Sequence, residues 1–504
     1  MEQNYGELAS RAFRERVFAN RPKNVQALAE HEAKVAYDLT CLNFPPANWV
    51  PSRAGVVDVL VVGAGMCGQT AAYALLKEGL RNIRVVDRAP MAEEGPWGTF
   101  ARMEILRSPK HLTGPDLGVP SLTFRAWYEA SYGLSAWEQL HKVYRLDWLE
   151  YLIWVRQRVG VAVENWVAVE SVVPAEGLLR IELKHLQTSR TETVLARKVV
   201  LAMGREGSGD VRLPSFLSLD SKTARTSGRV HHSMDAIDFA ALKGKRVGVL
   251  GAGASAFDNA ACALEAGAAV TLFCRRPELP QVNKSKWTAF AGFFKGFASL
   301  PDKDRWRIYT YIFDEQIPPP YESVLRCDRH ENFQLVLGQT WRDVKLLADS
   351  VQIDVGDHHL EFDAVIFGTG FDVNLQDRRE LALFAPHILS WADRIGNVAN
   401  GKLEATDSRI EAGRFPYLAD GFSLRARTAA APPELGSLYL FNWGATISQG
   451  AVAGDIPGLA HGATKLAGAI AKDIFFEDAV SLETQLVNLS EPELKLTRFY
   501  VPKP

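Results

Sequence analysis

Apolar residues in this chain gather in short, nearly unbroken runs that alternate with stretches of helical spacing. The run over 56–62, Val-Val-Asp-Val-Leu-Val-Val, predicts a central parallel strand, because a strand covered on both faces does not alternate. A glycine turn follows, Gly63-Ala-Gly65-Met-Cys-Gly68. Helical spacing then predicts a helix over 69–78, stopping near Gly79, and a second strand over 83–86 ends at Asp87. The same order returns later: strand 246–250, turn Gly251-Ala-Gly253-Ala254-Ser255-Ala256, helix to about Ala266, and strand 270–273 leading to Arg275 and Arg276. Gly63 to Asp87 is 24 positions, and so is Gly251 to Arg275, so one β-α-β unit occurs twice. Two further apolar runs, over 198–204 and 363–371, also lead into glycines, and a third over 438–441 opens a glycine-rich stretch at 444–454. A helix is predicted from near Asp455 or Pro457 through Ile470, with Asp455 in position to cap it. Ahead of all this, Leu8, Phe13, Val17 and Phe18 recur at helical spacing until Pro45, Pro46 and Pro51 break the pattern.

The predicted fold class is therefore α/β, with two Rossmann-like dinucleotide-binding domains. Residues 1–55 form a helical N-terminal extension, 56–225 and 361–480 a discontinuous first domain, 226–360 an inserted second domain, and 481–504 a C-terminal tail. In each turn the first glycine (Gly63, Gly251) permits the bend and the second (Gly65, Gly253) lets backbone approach a pyrophosphate. The third, Gly68, allows close packing of helix on strand. The phosphates rest on free N–H groups at the helix start, which in the second unit belong to Ala254 and Ser255. Asp87 can accept from ribose hydroxyls and would repel a 2′-phosphate, with Arg88 beside it as a further contact. Arg275 and Arg276 offer the fixed charge and forked donors that a 2′-phosphate wants. The first unit is thus expected to hold FAD and the second NADPH.

Composition removes several alternatives. Among 504 residues, 57 Lys and Arg face 59 Asp and Glu, and a net charge of −2 offers no broad attraction to nucleic acid. No apolar run reaches the ~18 residues of a membrane span. The N-terminal stretch carries acidic residues and no apolar core, so a cytoplasmic setting is expected. Cys41, Cys67, Cys262, Cys274 and Cys327 are scattered without a C-x-x-C, which argues against a disulfide framework, a metal site and a redox dithiol. Homo-oligomer formation stays open.

Two such units with further strand–glycine turns resemble the class B flavoprotein monooxygenases, over roughly residues 56–475. The segment Gly228-Arg-Val-His231-His232-Ser233-Met-Asp235 is similar to that family's F-x-G-x-x-x-H-S-x-D-Y, with Thr226 and Ala236 where the family has aromatics. Gly368-Thr369-Gly370-Phe371 is similar to A-T-G-Y, and Gly95-Pro96-Trp97-Gly98 to the G-G-T-W turn beside the flavin. The resemblance implies cofactor contacts at Trp97, Gly370 and Asp455 and a role for His232 in domain geometry. Pro280-Gln-Val-Asn283 looks like the P-F-V-N-E segment of the ornithine-type N-hydroxylases, with Lys284 in place of the glutamate. By that likeness Asn283 and Lys284 are the candidate substrate residues. The implied activity is an FAD- and NADPH-dependent monooxygenase acting on a small organic substrate with O2. NADPH reduces the flavin, a C4a-(hydro)peroxide forms, and one oxygen goes to an amine nitrogen. Sulfur oxygenation, Baeyer–Villiger insertion and uncoupled NADPH oxidation are the alternatives.

Overall fold

The computed structural model describes residues 22–396, 407–491, 493–494 and 496–499. Leu8, Phe13, Val17 and Phe18 lie outside them. Within them the extension contains the helix Val25–Cys41, started by Asn24, whose side chain accepts from Ala27 N at 3.0 Å. Val35 and Leu39 are its buried face.

The first sheet runs in the order Ile83–Val86, Val56–Val62, Thr191–Leu201, Leu178–His185, Val167–Ala175, with Leu438–Leu440 also paired to Thr191–Leu201. The pairings around Val56–Val62 are parallel, and Val59, Leu60 and Val61 are wholly buried, as an unbroken apolar run requires. Helix Met66–Lys77 crosses one face and packs against helix Leu459–Glu477. The other half of this sheet is an antiparallel meander. Leu179, Ile181 and Leu183 point into the core, and Arg180, Glu182 and Lys184 alternate with them, a clean period of two.

The second sheet is all parallel, in the order Phe333–Leu337, Ala269–Cys274, Arg246–Leu250, Ala364–Phe367, Val230–His232. This moves one expected boundary. The strand Ala364–Phe367, read above as the return to the first domain, pairs instead with Arg246–Leu250 through Val247↔Ala364. Its four apolar residues are all buried, which suits an interior place in the second sheet. The chain crosses back only after Gly370, where Phe371–Val373 pairs with Gly209–Val211. An antiparallel layer of three strands, Trp341–Leu346, Val351–Val355 and His358–Phe362, covers one face of the second sheet. There Trp341 and Phe362 pack edge-on against Phe273. Beyond 480 the chain forms a further helix, Ala479–Val487, with no buried residue. Among the described residues no helix is long and apolar enough to cross a membrane.

Candidate functional site

In the first turn Gly63 has φ +95°, and a Cβ there would meet Ala202 O at 2.8 Å. On Gly68 a Cβ would lie 1.7 Å from Gly63 O, so only glycine lets the helix close on the turn. Gly65 faces the loop 95–98, and a Cβ on it would lie 3.4 Å from Gly95 Cα. The structure thus brings the G-P-W-G loop against the phosphate turn. Trp97 is half-buried, and among the described residues its Nε1–H has no acceptor. Asp87 stands at the same turn: Oδ2 accepts from Ala64 N at 2.7 Å and Oδ1 from Ala89 N at 2.8 Å. Burial raises its pKa, and those two N–H donors oppose the shift. Each carboxylate oxygen keeps a lone pair for a ribose hydroxyl. Arg88 extends the other way and donates to both carboxylate oxygens of Glu206 at 2.7 Å.

The second turn solves the same packing problem differently. Gly251 has φ +115°, and a Cβ there would meet Gly368 O at 2.5 Å. The third glycine is replaced by Ala256, and the room comes from Gly368, where a Cβ would lie 2.6 Å from that of Ala256. Around Gly253 nothing lies within 4 Å of a Cβ position, which leaves the start of helix Ala254–Glu265 open to a ligand. Ala254 and Ser255 present the first N–H groups there. Arg275 is exposed and Arg276 half-buried just beyond strand Ala269–Cys274. Both turns therefore have the room and donors that a dinucleotide needs.

His232 is buried where the two domains meet. Its Nε2 donates to Gly370 O at 3.1 Å and its Nδ1 accepts from Met234 N at 3.1 Å, which sets a neutral tautomer. Burial pulls its pKa down to about 4. Arg102, from the first domain, donates to Ser233 O at 2.7 Å and Asp235 O at 2.6 Å. Arg326 donates to Arg102 O at 3.0 Å and pairs with Glu265. Arg145, buried, donates to Trp97 O and to Met103 O.

Asp455 acts by its charge on Cys67, Arg205, Arg107 and Tyr309, and the Arg205 guanidinium lies 4.0 Å from the centre of the Trp443 ring. Asp455 occupies the start of a short turn, Ile456–Gly458, but makes no side-chain cap, contrary to the expectation for it. Burial raises its pKa, and the charges of Arg205 and Arg107 oppose the shift. Burial and then Asp455 push the Cys67 thiol up to about 12, so it stays protonated and unreactive near neutrality. All five cysteines are unpaired. The glycine-rich stretch folds tightly over helix Leu459–Glu477, where a Cβ on Gly462 would lie 2.0 Å from Val452 O. Arg205, Arg107, Trp443 and Tyr309 were not singled out from the sequence. The available signal was position alone: Arg205 directly follows the strand–glycine run 198–204, and Trp443 precedes the glycine-rich stretch.

Asn283 starts the short turn Lys284–Thr288, its Oδ1 accepting from Ser285 N at 3.1 Å and Ser285 Oγ at 2.7 Å. Lys284 lies 3.8 Å from Glu315 and over the ring of Tyr311. The aromatic run beyond them divides: Phe293 and Phe297 are buried and stacked, whereas Trp287 and Phe290 are exposed.

The sequence profile of the pyridine nucleotide-disulphide oxidoreductase family matches residues 57–292. The chain is 37% identical over 479 residues to an FAD-dependent urate hydroxylase of Xanthomonas campestris, covering 93% of this chain and 97% of that protein. In fold it is similar to an ornithine hydroxylase of Pseudomonas aeruginosa, with a TM-score of 0.63 at 15% identity over 83% of this chain and 99% of the other. An L-lysine 6-monooxygenase of Pseudomonas syringae gives a TM-score of 0.60 at 17% identity over 82% and 99%.

Proposed function

The chain belongs to the FAD-dependent hydroxylases built on the class B flavoprotein monooxygenase fold, and from that premise we propose that it hydroxylates a ring carbon of urate or a closely related flat heterocycle. The observation that carries the reading is the likeness to the urate hydroxylase, which covers 93% of this chain. The reaction balances as substrate, O2, NADPH and a proton giving hydroxylated product, NADP+ and water. When bound, FAD would supply the redox chemistry, linking hydride from NADPH to the activation of O2.

This chain's residues have the remaining tasks. The turn 63–68 with Asp87 would hold the adenosine diphosphate half of FAD. The N–H groups of Ala254 and Ser255 would hold the NADPH pyrophosphate, with Arg275 and Arg276 at its 2′-phosphate. Trp97, Gly370 and Asp455 would be the further cofactor contacts. Phe293 and Phe297, buried against Gly450 in the glycine-rich stretch, would help to shield that stretch from water, where solvent promotes side reactions. Asn283 and Lys284, the residues on which an N-hydroxylation reading rests, are engaged with Ser285 and Glu315.

The test uses FAD-loaded enzyme with NADPH, oxygen-18-labelled O2, and urate, L-ornithine, a sulfide and a ketone. Urate is expected to speed NADPH consumption, lower peroxide release and acquire one labelled oxygen at carbon. Label arriving on the nitrogen of ornithine, with urate inert, would return the enzyme to N-hydroxylation. NADPH consumption that yields only peroxide would make it an oxidase.

A further inference from the structure

The end of strand Val56–Val62, where the first phosphate turn begins, is flanked by two strands. Val62 pairs with Val86 on one side and with Leu201 on the other. Arg88 lies two positions beyond Val86, and Glu206 five beyond Leu201. Arg88 Nη2 donates to both carboxylate oxygens of Glu206 at 2.7 Å. The pair therefore joins the two flanking strands across the end of the middle one. Helix Met66–Lys77 fills one face there, since a Cβ on Gly68 would lie 1.7 Å from Gly63 O. The bridge thus passes on the side of the turn that the helix leaves open.

Both ends of the bridge are anchored. Asp87, the neighbour of Arg88, is fixed by Ala64 N and Ala89 N, and Asn165 Nδ2 donates to Ala89 O at 3.0 Å. Arg378 Nη1 donates to Glu206 O and Gly209 O, each at 3.2 Å. Ser208 Oγ, in the same turn, donates to Asn442 Oδ1 at 2.9 Å. Two other carboxylates act by charge on Arg88: Asp87 is held by its N–H donors and Glu380 by Arg378. Glu206 is the one that Arg88 bonds. The two side chains stay accessible, Arg88 at 61% and Glu206 at 26%. An exposed ion pair is weak because water competes for both charges, so this bridge can open while its anchors stay in place.

The second unit repeats the frame but commits the acid elsewhere. Leu250 pairs with Phe273 and Phe367, and the residue five positions beyond Phe367 is Asp372. Asp372 Oδ1 accepts from Arg212 Nε at 2.7 Å, at the crossing back to the first domain. The difference suits the two cofactors. NADPH is consumed and must exchange at every turnover, whereas FAD is regenerated in place.

We infer that Arg88 and Glu206 form a clasp across the first phosphate turn, which must open before FAD can leave and so sets how long the cofactor stays bound. Arg88 acts through Glu206, and both are retention residues with no part in the chemistry. The inference rests on FAD occupying the first turn and goes beyond the urate reading.

The test follows FAD release from the FAD-loaded protein, as the rise of free-flavin fluorescence after dilution. Wild type is compared with Arg88→Met, Glu206→Gln and the double variant. If release requires the open clasp, its rate follows the open fraction, and removing an exposed pair should speed it about two- to fivefold. Each single variant is expected to show that gain, and the double variant no more than either. Salt at about 0.5 M should speed release from wild type and narrow its gap to the variants. Arg88→Lys, which keeps the charge at shorter reach, should fall between wild type and Arg88→Met; it also serves if Arg88→Met does not fold. Release at the wild-type rate from either single variant overturns the inference. Faster release from Arg88→Met with Glu206→Gln unchanged would mean that Arg88 holds FAD directly. A double variant whose gain is the product of the two single gains overturns it as well, since the residues would then act separately. So does an equal salt response in every protein. Urate takes no part in the measurement, so a failed substrate reading leaves the result standing. A wild type that cannot be loaded with FAD ends both the clasp and the assignment of the first turn.

Discussion

One methyl group separates two kinds of glycine in the phosphate turns. Gly68 is steric: its missing Cβ would overlap Gly63 O at 1.7 Å. Gly253 is open, with nothing within 4 Å, so any need for glycine there comes from a ligand. Gly68→Ala is therefore expected to lose FAD and several degrees of melting temperature. Gly253→Ala should melt within about 1 °C of wild type, since no protein atom is displaced. Its NADPH dissociation constant should nevertheless rise about tenfold. Titration of NADPH alongside thermal melting separates the two, and a destabilised Gly253→Ala with unchanged NADPH affinity would reverse the assignment. These roles were legible from the G-x-G-x-x-G spacing. The replacement of a third glycine by Ala256 was legible as well, but its compensation by Gly368, 112 positions away, was not.

At the scale of elements, the edge strand Val230–His232 is tied to the crossing between domains by His232 and Gly370. The fold holds His232 neutral, with its pKa near 4 against an ordinary 6.5. Between those values the unfolded chain binds a proton that the folded chain refuses. The contribution to stability is thus complete above about pH 6.5 and is lost as the pH falls toward 4, up to roughly 3 kcal/mol. His232→Gln, which can still donate to Gly370 O, removes the titration. Urea unfolding at pH 7 and pH 5 should show wild type losing about 2 kcal/mol more than the variant. Equal losses would mean that His232 does not carry the acid sensitivity. The partial F-x-G-x-x-x-H-S-x-D-Y likeness pointed to this histidine. Its acceptor did not show in the sequence, because Gly370 follows 138 residues later.

For the whole molecule, hydride transfer depends on how the two dinucleotide domains are held. Arg102 joins them through Ser233 O and Asp235 O, and Arg326 reaches its carbonyl from the helix Tyr321–Asp328. Neither phosphate turn includes Arg102. Arg102→Ala should leave FAD content and NADPH affinity within about twofold of wild type. Flavin reduction in anaerobic stopped flow should slow by tenfold or more, because a misplacement of about 1 Å between reacting groups costs up to a hundredfold. A reduction rate equal to wild type would show that the remaining contacts hold the domains alone.

The repeated unit, the charges at its strand ends and the lack of a cysteine pair are local properties. Periodicity, glycine φ preference and side-chain charge act within about 25 residues, so the sequence by itself determined two dinucleotide units and the redox class that they imply. The strand Ala364–Phe367 shows the limit: its apolar residues specify a buried parallel strand, but either sheet could bury it, and only register against Arg246–Leu250 decides. The same holds for the surroundings of Asp455. Arg205 and Trp443 come from separate segments and read as ordinary loop residues until packing sets the guanidinium 4.0 Å from the ring centre and within reach of the Asp455 charge. Charge effects and ring contacts depend on distances through space, and those were decided by the tertiary structure.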